Sequence, residues 1–154
     1  MAEMNMQDQL SAVIADLKGK LCCCQRVGEH RSLRLGFGER VTRSKMKVRD
    51  PFVGEWQIGT YAAAWRIVQN DRIILGSMNP ADSCADLDAD LEKIQFGPVL
   101  NIETSSRFCV RVSLEDGVFI DFMAASSEES EIFFILHPDG SDIEYRCATG
   151  WQID

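Results

Sequence analysis

Chemistry in this chain would have to come from few residues. His30 and His137 are its two histidines, and each stands beside a stretch that reads as a turn. Neither has a second histidine at helical or zinc spacing, so the pattern offers no metal site. Cys109 with His137 is a nucleophile–base pairing that the residue types allow, because such partners meet in space and not in sequence. Cys109 alternates with apolar neighbours on a candidate strand, where an inert thiol is the expectation. Cys22, Cys23 and Cys24 are consecutive, which suits neither a disulfide framework nor a zinc site, since both need spacing between partners. With Cys84, Cys109 and Cys147 they read as buried, reduced small hydrophobes. Asp86-x-Asp88-x-Asp90 opens like a calcium loop, yet Leu91 and Gly97 stand where that loop needs Gly and Glu. No Gly-x-Ser-x-Gly, no Walker loop and no dinucleotide fingerprint occurs, and Gly36-Phe37-Gly38 lacks the third glycine and a following helix. The residue types thus point away from an enzyme, and to no catalytic residue, metal or cofactor.

Binding is the remaining class. Asp86, Asp88, Asp90 and Glu92, together with Glu128, Glu129 and Glu131, are the candidate partner-binding residues, and they could form one negative surface. A solvated, solubilising surface is the plain alternative for the same residues. Of the chain's 16 Lys and Arg, ten fall in residues 1–50 against six acids, which leaves six basic and 18 acidic residues for 51–154. The net charge of -8 is therefore concentrated in the later two-thirds, a poor surface for nucleic acid and a good one for a basic protein. Arg43, Lys45, Lys47 and Arg49 alternate along a possible edge strand. They read as a guard against self-pairing before they read as a nucleic-acid contact.

These groups need a scaffold, and 154 residues suffice for one self-sufficient domain, 1–154. No apolar run approaches the roughly 18 residues that span a bilayer. Met1 to Leu10 has neither a basic nor an apolar leader segment, which predicts a cytoplasmic protein. Leu10, Val13, Ile14 and Leu17 give the stripe of an amphipathic helix over 7–18. Asn79 as cap and Pro80 as first residue, with Leu87, Leu91 and Ile94 on one face, predict a second helix over 80–94. Leu33, Leu35 and Phe37 alternate, and Gly36 to Glu39 reads as a turn into Arg40 to Val48. Trp65 to Leu75 around Asn70-Asp71 reads as the core hairpin. Phe108 to Leu114 and Val118 to Met123 flank Asp116-Gly117, a hairpin dipeptide. Ile132 to Leu136 and Ile143 to Cys147 flank the turn at Pro138-Asp139-Gly140. The expected structural core includes Trp56, Trp65, Ile67, Ile73, Phe122 and Phe134.

A weak repeat joins these elements. Residues 31–41 resemble 108–118 in pattern, and 65–75 resemble 133–143. This suggests a duplication of 21–78 as 97–151, each a four-stranded meander, joined by the helix 80–94. The expected fold class is α+β and mainly antiparallel β. Two meanders would form a sandwich or partly open barrel, with an N-terminal helix and a central crossover helix.

Glu55-Trp56…Trp65-Arg66-Ile67…Ile73-Ile74-Leu75-Gly76-Ser77, followed by Asp82, resembles a box in small uncharacterised bacterial domains. Those domains are found beside polymorphic toxins as candidate immunity proteins. The resemblance covers about 30 residues, leaves out the triple cysteine and the basic strand, and carries no catalytic residue. It implies a non-enzymatic immunity protein whose acidic face occludes the basic cleft of a cognate toxin. The second expectation is a small-molecule-binding or enzymatic domain with its site in a barrel mouth. The third is a nucleic-acid or structural adaptor using Arg43 to Arg49.

Overall fold

A computed structural model describes residues 5–42, 52–61, 63–128 and 131–154. The basic segment from Arg43 to Arg49 and the acid Glu129 lie outside the described residues. Helix α1, Met6–Leu17, starts where the Asn5 side chain accepts the backbone N–H of Asp8, and it buries Leu10, Ile14 and Leu17. The chain then forms β1 (Cys22–Val27), a single 3-10 turn at Glu29–Arg31, β2 (Leu33–Thr42), β3 (Phe52–Gly59), β4 (Ala64–Gln69) and β5 (Arg72–Gly76). Helix α2, Cys84–Glu92, follows, then β6 (Val99–Ser106), β7 (Cys109–Leu114) and β8 (Val118–Met123). The last strands are β9 (Glu131–Leu136), β10 (Asp142–Arg146) and β11 (Gly150–Ile153).

All pairings among the described residues are antiparallel, in two sheets. One has the order β1-β2-β3-β9-β10-β11 and the other β5-β4-β8-β7-β6. The sheets face each other across one apolar cluster that holds Trp56, Trp65, Ile67, Phe122 and Phe133, with Leu10, Leu17, Leu87 and Leu91 from the helices. The architecture is an α+β sandwich, and neither sheet closes into a barrel, so the expected barrel mouth does not form. No described helix is long and apolar enough to cross a membrane.

The two meanders do not form separate sheets. The first half contributes three strands to one sheet and two to the other, the second half contributes three to each, and the partners meet as β3 with β9 and β4 with β8. The ladders correspond under one exchange of halves. Leu35 opposite Ile58 answers to Val112 opposite Ile120, and Ile58 opposite Ile135 answers to Ile120 opposite Ile67. The segments that resemble each other in sequence fall on corresponding strands. Trp56 and Trp65 consequently lie in different sheets, and Gly59 to Thr60 makes the crossing. A Cβ at Gly59 would run into the Leu33 carbonyl, so that close passage needs glycine.

Several expectations are corrected. Gly36 to Glu39 is no turn: β2 runs through it, with its register against β3 shifted between Phe37 and Arg40. Helix α2 begins at Cys84 and ends at Glu92 instead of spanning 80–94, and its cap is Ser83, which accepts the Asp86 N–H. Asn79 instead accepts the Gly76 N–H after β5. The stretch before the helix is held out of helical conformation by Arg31, whose guanidinium donates to the carbonyls of Ser77, Asn79 and Ala81 at 2.7, 2.8 and 3.2 Å. Ile73 is 60% exposed, because a bulge between Ile67 and Val68 sets Leu75 inward and leaves Ile73 outside. Phe134 is wholly buried but on the outer face of its sheet, apart from the central cluster. The six cysteines are half-buried instead of buried.

Candidate functional site

Strand register lays one row of side chains across the outer face of the six-stranded sheet. From edge to edge it reads Arg26, Arg34, Gly59, Phe134, Glu144 and Gln152. Gly59 leaves a gap in that row, and Tyr61 folds back across it. The Tyr61 ring stacks on Phe134 with centroids 4.7 Å apart, and the Arg34 guanidinium lies 5.1 Å from the first ring centre and 5.5 Å from the second. Such cation–ring contacts keep an arginine extended without a carboxylate partner. The corresponding row in the other sheet is Arg66, Asp121, Arg111. There Asp121 receives hydrogen bonds at 2.9 Å from Arg66 and 2.8 Å from Arg111. Burial works to raise the Asp121 pKa, but the two guanidiniums outweigh it and hold the carboxyl below its usual range. One sheet thus neutralises its arginines with a buried aspartate, while the other sets a glycine at that place and aromatic rings beside the arginine.

A cleft of about 380 Å³ opens beside this aromatic platform, over β1, β2 and β3, with Arg26, His30, Arg34, Gln57 and Tyr61 among its walls. Gly36 gives it depth, since this bare position lies opposite Gln57 on β3. Gly36 and Gly54 pass so closely that a Cβ on Gly36 would sit 2.6 Å from the Gly54 nitrogen. Gln57 is 5% exposed, and no hydrogen bond reaches its amide among the described residues. His30 and Arg31 both take left-handed backbone angles, φ 56° and 58°, an unfavourable conformation for residues with side chains. The strain is held by Arg31, through its three carbonyl contacts and through its own carbonyl, which accepts the Trp65 Nε1–H at 2.7 Å.

On the far side of the platform lie Glu131, Asp142 and Glu144, with Arg146 donating to Glu144 at 3.3 Å. Burial, then Glu144 and Asp142, pushes the Glu131 carboxyl up to about 7. As carboxylates, Glu131 Oε1 and Asp142 Oδ1 are buried without a donor; a proton on Glu131 would let it donate to Glu144. No three His, Cys, Asp or Glu side chains converge as a metal site among the described residues.

The candidate acids are dispersed. Asp86, Asp90 and Glu92 are exposed on α2. Asp88 turns inward and accepts the Val27 N–H at 2.6 Å, which ties the helix to the sheet edge. Glu128 is exposed in the loop before β9, and Glu131 lies on β9, separated from β1 and its helix by β2 and β3. The six acids among the described residues therefore do not make one surface. Cys109 begins β7 of one sheet, His137 follows β9 of the other, and burial raises the Cys109 pKa. His137 packs edge-on against Trp56 at 4.5 Å. Burial also pushes the thiols of Cys22 and Cys23 up to about 12 and about 11, so neither is a ready thiolate. Arg34, Gln57 and Tyr61 were not singled out in the sequence. A usable signal was the repeat itself, which aligns Arg34 with Arg111.

Among known proteins, no family model, no curated protein and no solved structure matches the chain.

Proposed function

We propose that the protein is a non-enzymatic binding domain for a basic protein partner, docked on the free edge of β5 and on the outer side of α2. The carrying observation is an apolar patch at that edge: Ile73, Ile74 and Met78 are 60%, 37% and 87% exposed. Ile73 and Met78 border a recess of about 360 Å³ that also involves Pro80 and Met123. β5 ends its sheet and offers unpaired backbone groups to an added strand. The chain runs directly from this patch through Asp82 to the exposed carboxylates of Asp86, Asp90 and Glu92. Apolar anchors beside like charges suit a partner of opposite charge, with the charges governing encounter and the anchors governing residence. In the terms of the sequence resemblance, that partner is a toxin whose basic cleft is occluded, and the domain is its immunity protein.

Affinity capture from the native cell extract, read by mass spectrometry at low and moderate salt, tests this reading. One stoichiometric basic partner is expected, lost from Ile73→Asp/Met78→Asp protein and released from wild type as salt rises. Lysine replacement of Asp86, Asp90 and Glu92 should slow association while leaving the thermal transition intact. A partner held equally by all these variants would place the interface elsewhere, and capture of nothing would defeat the reading.

A further inference from the structure

We propose that the cleft over β1, β2 and β3 binds a small planar organic anion, its ring lying on Tyr61 and its carboxylate or phosphate held by Arg34. Several observations converge on it. The volume, about 380 Å³, falls within the range of small-molecule sites. Arg34 lines the cleft and is braced by Tyr61 and Phe134, so its fork is already ordered for a planar oxyanion. Its register neighbour Arg26 adds a second positive charge to the wall, in a chain whose net charge is -8; Glu29 is the carboxylate in the lining.

Gln57 supplies the second kind of recognition. The residue is 5% exposed and lines the cleft, and no hydrogen bond reaches its amide among the described residues. The amide is left to the cleft, where a ligand carrying both a donor and an acceptor would pair with it. Tyr61 is 47% exposed, with Phe134 stacked against its ring, and so presents a flat apolar shelf. The left-handed pair His30 and Arg31 brings the imidazole into the same wall at a conformational cost, a form of strain that clusters at binding sites. The cleft takes no residue from β5 or α2, so ligand binding there and protein docking at the β5 edge are separable.

Isothermal titration of the full chain with adenosine 5′-monophosphate and with 4-hydroxybenzoate tests the proposal, against adenosine, 4-hydroxybenzamide and inorganic phosphate as controls. At least one planar anion should bind saturably at one site, at least tenfold tighter than its neutral counterpart and than inorganic phosphate. Arg34→Gln and Gln57→Leu should each weaken that binding at least tenfold. Tyr61→Ala, at a half-exposed ring, should do the same and serves if either other variant fails to fold. Absence of saturable binding by both anions up to millimolar concentration would overturn the proposal. So would equal binding of the neutral counterpart, or of inorganic phosphate, or affinity unchanged in every folded variant.

Discussion

With burial, Glu144 and Asp142 pushing its carboxyl up to about 7, Glu131 holds a proton in the folded chain over a range where the unfolded chain has lost it. The ordinary value is 4.5, so between about pH 4.5 and 7 the folded state binds more protons and stability falls as pH rises. Glu131→Gln removes that dependence. The variant should match wild type near pH 5 and unfold about 2–4 °C higher at pH 8, equivalent to about 1 kcal/mol for a chain of this length. A difference that stays flat across the window would show that Glu131 ionises normally. The sequence marked Glu131 as acidic and exposed; its acidity was legible, but its neighbours Asp142 and Glu144 come from the next strand and meet it only through pairing. Gln57 was equally hidden, because a lone glutamine carries no pattern until the sheet buries it.

Among the elements, α2 shows how local signals yield to tertiary ones. Asn79-Pro80 has the form of a helix start, yet Arg31 draws the carbonyls of Ser77, Asn79 and Ala81 to itself and delays the helix to Ser83. Gln25 then closes the other end, donating to the carbonyls of Leu91 and Ile94, both at 2.7 Å. Arg31→Lys keeps the charge but not the fork, so it should lower stability by about 2–4 kcal/mol in urea unfolding, given that charged hydrogen bonds contribute about 1.5–3 kcal/mol each. A loss below about 1 kcal/mol would mean that the loop finds other partners. The helices and hairpins themselves were readable. Asn70 and Asp71 both take positive φ, the geometry of a primed hairpin turn, and Asp116 and Gly117 take it within the three-residue turn between β7 and β8. Bulges were not readable, and a one-residue slip at Ile67 and Val68 was enough to send Ile73 outward. The strand β6 and the final strand β11 were missed because Val99 to Ser106 alternates poorly and Gly150 to Ile153 is short.

At the scale of the whole molecule, the chain's two halves interleave. β9 and β8 of the second half pair with β3 and β4 of the first, so neither sheet is complete within one half. The likeness of the halves was legible in the sequence. Their exchange across two sheets was not, since alternation records which side a residue faces and not which strand it faces. Peptides 1–94 and 95–154 should each lack a cooperative thermal transition and regain one as a 1:1 complex when mixed. Cooperative unfolding of either peptide alone would contradict this. The same interleaving constrains the order of events during synthesis. When α2 has left the ribosome, β3 and β4 still present open hydrogen-bonding edges, and their partners are not yet made. The native sheets can close only after β8 and β9 have been made, through long-range pairings that are slow to form. Until then, the newborn chain must be kept from pairing with its neighbours.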